Sequence, residues 1–293
     1  MSALIIIDKL FVCILLVYKS ELMHTMAMQK NNLNKPDSVL LTNCLPDGLV
    51  VNRTWLKAKG FERMAVDYFV RSGKLERVGH GAYRRPGPPL KWEHLVYSLQ
   101  ELGSPVHVGG RSALDLQGMA HYLPVGGMQT VELYGMKKLP GWLNELQVSV
   151  KLVAQGMGGI SKLPSDALIT RPFGHWDWPL NFATLELALF EVLGNIQDES
   201  GFSLADKYFE SATTLRPKLL NSLLRVCRQI KTKRLFLWFS DRHRHAWRNK
   251  LKTDNVDLGS GKRMIVKGGA LDKTYAITVP RSMTGEKGAE NIF

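Results

Sequence analysis

The chain has 293 residues, 45% of them hydrophobic, and carries 39 Lys and Arg against 26 Asp and Glu, a formal charge of +13. Its length predicts two domains with a sizeable core, and its three cysteines, without metal-ligand spacing, exclude a disulfide framework and fit a reducing cytoplasm. Residues 1–85 carry +6, residues 86–215 carry −5 and residues 216–293 carry +12. These two basic blocks favour a polyanionic partner, with binding that weakens as salt rises.

The first 30 residues differ from the rest because residues 3–18 are almost entirely apolar, interrupted only by Asp8 and Lys9. The run is short for a membrane span, and it has neither a basic start nor a small-residue cleavage site. Methionines follow at positions 23, 26 and 28. We interpret residues 1–30 as an extension from a translation start placed too early, with a membrane segment as the alternative and the folded protein beginning near Met28.

Residues 45–87 have the pattern of a winged helix-turn-helix. A short helix over 52–59, capped by Asn52, ends at Gly60, and a second helix over 61–71 ends at Gly73. Two strands, 74–78 and 82–85, surround a glycine turn and form the wing. Helical spacing in the second helix predicts a buried stripe and an exposed face. The stripe comprises Phe61, Ala65, Tyr68 and Phe69, and the exposed face comprises Arg63, Asp67 and Val70.

This pattern predicts contacts with duplex DNA. A recognition helix presents its first turns to base edges, so Arg63 is the candidate for reading guanine, and Asp67 either accepts from a cytosine amine or orients Arg63. Basic side chains on the first helix and on the wing are expected to hold phosphates. They are Arg53, Lys57, Lys59, Arg77, His80, Arg84 and Arg85. The alternative is a winged-helix scaffold that contacts protein, with its cations solvated.

A proline-rich linker at 86–89 precedes a larger domain in which helices and strands intermix without a regular βαβ repeat. The predicted helices are 92–102, 111–118, 185–193 and 204–212, and the predicted strands are 106–108, 129–134 and 148–153. Basic helices opened at Pro217 and over 235–251 follow, and then a hairpin of 264–267 with 274–279. The class is therefore α+β: an N-terminal winged helix-turn-helix, then a larger mixed α+β domain that ends in basic helices and a β-hairpin.

An enzyme is the main alternative. Gly109 and Gly110 follow a strand and resemble the glycine-rich loop of nucleotidyltransferases, in which backbone amides hold a triphosphate at a helix start. Magnesium would need paired carboxylates, but the next strand offers only Glu132, and Asp115 lies within the helix. We therefore expect no catalytic site and no cofactor, and we assign the two glycines to close packing of strand on helix.

Two further patterns resemble binding sites. His243 and His245 invite zinc, but residues two apart on a helix face away from each other and no third ligand has suitable spacing, so no metal site is expected. Residues 175–178, with two tryptophans near a proline, are expected to close a hydrophobic core.

Several separate segments of the chain resemble the AbiEi antitoxins, the transcriptional-regulator members of abortive-infection toxin–antitoxin pairs. The resemblance covers about residues 45–280. It lies in LPDGLV at 45–50 leading to Trp55 and Leu56, SGKLER at 72–77, GAYRRPG at 81–87, HVGGRSAL at 107–114, LPGWL at 139–143 and VDLGSGKR at 256–263. Each segment is unremarkable alone, and their order along one chain makes the match specific.

The resemblance implies a winged-helix DNA-binding domain over 31–87, an antitoxin domain over 90–280 and a flexible tail over 281–293. Family members repress their own operon by binding repeats in its promoter, and their C-terminal domain counteracts a nucleotidyltransferase toxin, without requiring a stable complex with it. From this resemblance we expect the promoter to be contacted by Arg63, Arg77, Arg84 and Arg85. For the neutralising surface, charge alone suggests four arginines: Arg225, Arg228, Arg242 and Arg244.

Overall fold

The computed structural model describes residues 37–120, 129–146, 148–157 and 159–284. The apolar extension over 1–30 and residues 285–293 of the expected tail lie outside these ranges. Within them the chain forms two compact units that divide after Gly87. In the part of the chain that is described, no helix is both long and apolar enough to cross a membrane.

The described part of the first unit, residues 37–87, contains three helices and a small sheet. Helix α1 spans Ser38–Cys44, α2 spans Arg53–Ala58 and α3 spans Arg63–Arg71. Strands β1 (Val51–Asn52), β2 (Glu76–Gly79) and β3 (Ala82–Arg84) form an antiparallel sheet in the order β1-β3-β2. The sequence predicted the two wing strands but missed α1 and the two-residue strand β1.

The core of this unit corrects the predicted stripe on the second helix. Phe61 and Phe69 are buried as expected, and their rings meet edge to face with centroids 5.7 Å apart. Val66 is also buried, whereas Ala65 and Tyr68 are only half-buried. The prediction for those two residues was wrong because the helix begins at Arg63 rather than Phe61, and the buried face is centred on Val66 and Phe69.

The second unit is built on a five-stranded mixed sheet in the order β6-β5-β4-β8-β7. The strands are β4 His107–Val108, β5 Thr130–Tyr134, β6 Lys151–Gln155, β7 Leu168–Phe173 and β8 Trp178–Ala183. Strand β4 is antiparallel to β5 and parallel to β8, β5 is parallel to β6, and β7 is antiparallel to β8. Helix α4 (Trp92–Glu101) precedes β4, and α5 (Gly110–Leu114) follows it and continues as a π turn over Asp115–Met119. The α+β class is confirmed.

Four consecutive helices contribute many of the buried side chains of the second unit. They are α6 Leu185–Asn195, α7 Glu199–Ser211, α8 Pro217–Val226 and α9 Ile230–His243. Proline opens α8, as predicted, because the first helical position needs no backbone N–H donor. Aromatic rings join the helices: Phe190 stacks on Phe236 with centroids 4.6 Å apart, and Phe209 stacks on Phe239 at 5.0 Å.

Two expectations for the second unit were wrong. The C-terminal hairpin pairs β9 (Ala270–Asp272) with β10 (Ile277–Val279), not 264–267, because residues 265 and 266 donate their amides to the Thr278 hydroxyl instead.

Residues 175–178 do not all close a core. Trp178 is buried and stacks on Tyr97 at 4.5 Å, but Trp176 lies in the turn between β7 and β8 and is 57% exposed.

Candidate nucleic-acid interface

The helix-turn-helix depends on features that are local in the sequence. The Asn52 side chain accepts a hydrogen bond from the Trp55 amide at 2.8 Å and so caps α2, as predicted. Gly60 then adopts a φ of +89°, which permits the chain to turn within a few residues. Leu56, on the inner face of α2, is fully buried. Together these features place α3 with one face on the core and the opposite face in solvent.

Four side chains form the solvent face of α3, called here the reading face: Arg63, Met64, Asp67 and Arg71. The Arg63 side chain is 84% exposed, and Met64 is also 84% exposed. At about 100° per residue, the four lie within roughly 100° of the helix circumference. Met64 and Arg71 were not predicted as members of this face, although the i, i+4, i+8 spacing from Arg63 to Arg71 is visible in the sequence. Val70 is half-buried at the edge of this face.

An open cleft of about 520 Å³ lies beside α3 and the wing. Predicted contact residues from three separate elements line it: Arg53, Lys57, Arg63, Arg77 and His80. Lys57, Arg77 and His80 are exposed. Glu62 also lines the cleft, so its charge is not uniformly positive. The fold thus brings five of the predicted DNA-contacting side chains to one surface.

Arg53 lies in the cleft but is already engaged within the protein. Its Nε donates to the Tyr83 hydroxyl at 2.8 Å, and its Nη2 donates to Asp67 at 2.7 Å. The hydrogen bond to Tyr83, and then that to Asp67, raise the pKa of Arg53 above its ordinary value. Arg63 lies 3.8 Å from the other Asp67 oxygen, a weaker contact on the exposed face. Asp67 therefore anchors Arg53 first, which places a paired carboxylate beside the exposed Arg63.

The structure assigns Arg84 and Arg85 a different environment from the one predicted. Arg84 forms an ion pair with Glu76 on the neighbouring strand, and its side chain is only 13% exposed. Arg85 lies 3.2 Å from Asp47 and donates to the Leu45 carbonyl at 3.3 Å. Both guanidiniums thus satisfy groups of their own unit: Glu76 faces Arg84 across the β2–β3 hairpin, and folding brings the more distant Asp47 to Arg85. Their phosphate contact remains a prediction without support from this geometry.

Lys59 lies outside the cleft lining, at the end of α2. Its ammonium group lies 5.3 Å from the centroid of the Trp55 ring, a cation–π distance that leaves the charge exposed. A phosphate could approach this ammonium from the solvent side without displacing a protein carboxylate.

In the second unit, the glycine pair at the start of α5 binds carboxylates of the protein itself. The Gly110 amide donates to Glu191 at 2.7 Å, and the Arg111 amide donates to Glu132 at 3.0 Å. Glu191 is almost fully buried, and its Oε1 is also hydrogen-bonded to His107 Nε2 at 2.7 Å. Burial raises the pKa of Glu132. The amides that would hold a triphosphate in a nucleotide loop are therefore occupied by internal acceptors.

The glycines themselves are required by close packing, as expected. A Cβ on Gly109 would lie 2.4 Å from a Glu191 oxygen and 2.5 Å from a Tyr134 ring carbon. Gly110 has a φ of +51°, and a Cβ there would lie 2.3 Å from a Glu132 oxygen. These contacts with β5 and α6 leave no room for a side chain at either position.

The four arginines suggested for toxin neutralisation do not share one environment. Arg225 and Arg228 are exposed, and the latter lies beyond the end of α8. Arg242 donates to Asp206 at 2.8 Å and lies over the Trp238 ring at 5.7 Å. Arg244 is exposed and has a φ of +51°, which ends α9.

The end of α9 also corrects the expectation for the two histidines. The helix stops at His243, so His243 and His245 do not face apart; their rings are stacked with centroids 6.0 Å apart. His243 bonds to Asp206 at 2.8 Å, and His245 bonds to the Phe209 carbonyl at 2.7 Å. Within the described ranges, no group of three His, Cys, Asp or Glu side chains is arranged to hold a metal ion.

Comparisons with known proteins give two family matches along the chain. Residues 34–125 match the family described as "Transcriptional regulator, AbiEi antitoxin N-terminal domain", and residues 128–280 match "Transcriptional regulator, AbiEi antitoxin, Type IV TA system". The crystal structure of the RV2827C protein from Mycobacterium tuberculosis is similar at 15% identity, over 78% of this chain and 85% of that chain, with a TM-score of 0.44. A comparison with curated proteins finds no match. The N-terminal family match extends past Gly87 and includes α4, β4 and α5.

Proposed function

The chain belongs to the AbiEi antitoxin family of type IV toxin–antitoxin transcriptional regulators, and on this basis we propose that residues 37–87 bind duplex DNA of its own operon promoter and repress transcription. The observation that carries the proposal is the cleft beside α3, where cations from α2, α3 and the wing line one surface. Cations spaced along a groove neutralise phosphates, and an exposed helix beside them is placed to enter the major groove.

Within this surface the side chains divide by role. Arg63 is exposed on the first turn of α3 and reads a base edge, with guanine as the base that a guanidinium fork fits best. Lys57, Arg77 and His80 contact phosphates and set the position of the helix in the groove. Arg53 is a positioning residue, since its guanidinium joins α2 to β3 and α3 through Tyr83 and Asp67.

The second unit counteracts the partner toxin, a nucleotidyltransferase, and does so without a catalytic centre of its own. The family supports the first part, because its description joins regulator and antitoxin in one protein. The occupied amides of α5 support the second, because a triphosphate would have to displace the carboxylates of Glu132 and Glu191. Of the basic side chains in this unit, Arg225 and Arg228 are exposed on or just beyond α8 and are the first to test for neutralisation.

The DNA-binding part is tested by titrating the full chain with a duplex from the region upstream of its gene and with a scrambled duplex of the same composition. We expect preference for the upstream duplex, and we expect Arg63→Ala to reduce that preference by about five- to a hundredfold. Lys138→Ala removes an equal charge from an exposed position in the other unit and serves as the matched control. Equal binding of both duplexes by the unaltered chain would refute promoter recognition.

The antitoxin part is tested in cells that express the nucleotidyltransferase encoded beside this gene. We expect growth arrest with that enzyme alone and growth when this chain is supplied from a separate, unrelated promoter, so that repression plays no part. A chain carrying Arg225→Ala and Arg228→Ala is the first variant to compare. Continued arrest in the presence of the unaltered chain would refute neutralisation.

A further inference from the structure

Met64 is the most exposed large apolar side chain among the residues that the structure describes, with 84% of its surface accessible. It is the second residue of α3, and it lies on the reading face at the edge opposite Arg63, beside Arg71. The opposite face of the helix already buries Val66 and Phe69, so the core does not need Met64. Removal of this apolar surface from water is favourable, so a partner that covers Met64 gains binding free energy.

The charges around Met64 indicate what kind of partner that is. Arg63 and Arg71 lie on the same helix face, and Lys57 and Arg77 line the adjoining cleft. Asp67 is held by Arg53, which offsets its charge. An apolar group surrounded by cations is complementary to a polyanion that also presents apolar groups. The major groove of duplex DNA has this character, because each thymine projects its C5 methyl group between two lines of phosphates.

We infer that Met64 contacts the C5 methyl group of a thymine that lies next to the base pair read by Arg63. This inference rests on the proposed DNA-binding function and adds a second base to its specificity. Consecutive residues on a helix are separated by about 1.5 Å of rise and about 100° of rotation, so two long side chains in the first turn reach neighbouring base pairs in the groove. The thioether is flexible and unbranched, so it can lie flat against a methyl group.

The test begins with a 30-base-pair duplex selected by the full chain from a randomised pool. Each thymine of that duplex is replaced in turn by deoxyuridine, which removes the methyl group and leaves base pairing unchanged. At one thymine we expect about a fourfold loss of affinity for the unaltered chain, the value for one buried methyl group. Met64→Ala is expected to bind the thymine duplex about fourfold more weakly and to be insensitive to deoxyuridine at that position.

Val39→Ala provides the matched control, because Val39 is an exposed apolar residue of the same unit that lies on α1. It should retain the full sensitivity to deoxyuridine. Met64→Gln keeps the length and flexibility of the side chain but not its apolar end, so it should behave as Met64→Ala does. Equal affinity for thymine and deoxyuridine at every position, or unchanged sensitivity in Met64→Ala, would overturn the inference. If the unaltered chain selects no sequence at all, promoter recognition fails instead, and the two failures are distinguished.

Discussion

Two arginines of the wing are expected to respond in opposite ways to the same substitution. Arg77 is exposed on β2 and lines the cleft, whereas Arg84 on β3 is 13% exposed and paired with Glu76. Arg77→Gln should remove one phosphate contact and lower the slope of log affinity against log salt by about 0.9. It should leave the exchange of backbone amides in the wing unchanged, because no core contact is lost.

Arg84→Gln should instead weaken the sheet. Breaking a hydrogen-bonded ion pair costs about 1–3 kcal/mol, and the lower end applies here because Glu76 is 39% exposed and water can solvate the released carboxylate. A loss of about 1 kcal/mol raises the rate of hydrogen exchange at the β2 and β3 amides roughly fivefold. The slope of log affinity against log salt should match that of the unaltered chain, because Arg84 is expected to make no phosphate contact.

Both variants are checked in the full chain by hydrogen exchange read over residues 76–84 and by titration of the upstream duplex at several salt concentrations. Glu76→Gln serves as the control for Arg84→Gln, since it breaks the same pair from the other side. The reasoning is refuted if Arg84→Gln lowers the salt slope by one contact while exchange stays at the rate of the unaltered chain. That result would place Arg84 on a phosphate, as the sequence suggested.

Three further changes test other contacts. Asp67→Asn removes a carboxylate from the reading face, so binding to scrambled duplex should tighten about threefold in titrations at low salt. Gly110→Ala adds a Cβ 2.3 Å from a carboxylate oxygen and should cost about 2 kcal/mol or more in denaturant melts, whereas Gly118→Ala, where nothing lies within 4 Å, should cost only about 1 kcal/mol of backbone strain. Burial raises the pKa of Glu186, but hydrogen bonds from Arg216 outweigh it and hold the pKa below 4.5. The unaltered chain should therefore exceed Glu186→Gln in free energy of unfolding by its full margin above that pH. The margin should shrink as the pH falls below it, as measured in melts from roughly pH 6 to pH 3.

The features predicted well from the sequence are those fixed by neighbouring residues. Asn52 begins α2 by capping an amide three residues away, and Gly60 permits the turn that follows the helix. Pro217 begins α8 for a similarly local reason. The wing required only two short strands and a glycine turn. The buried stripe on α3 was predicted less well, because Phe61 lies before the helix and so cannot be used to define its buried face.

The features that the sequence did not show depend on partners far along the chain. Nothing local to Arg85 reveals that Asp47 will pair with it, whereas Glu76 faces Arg84 across the predicted hairpin and could have been read from its register. The stacking of His243 on His245 follows from the end of α9 at Arg244, whose left-handed conformation no local residue type requires. Met64 was missed for a different reason, since an apolar residue within a helix is ordinarily assigned to the core.

The two units treat anion-binding groups in opposite ways. On the first unit, exposed guanidinium and ammonium groups of Arg63, Lys57 and Arg77 line an open cleft. On the second, the start of α5 donates its amides to Glu132 and Glu191. A phosphate there would meet two carboxylates in a site largely closed to water, where like charges repel more strongly than in solvent. Labelled nucleotide with magnesium should therefore give no transfer by the purified chain, and transfer with any of the four nucleoside triphosphates would show that the carboxylates can be displaced.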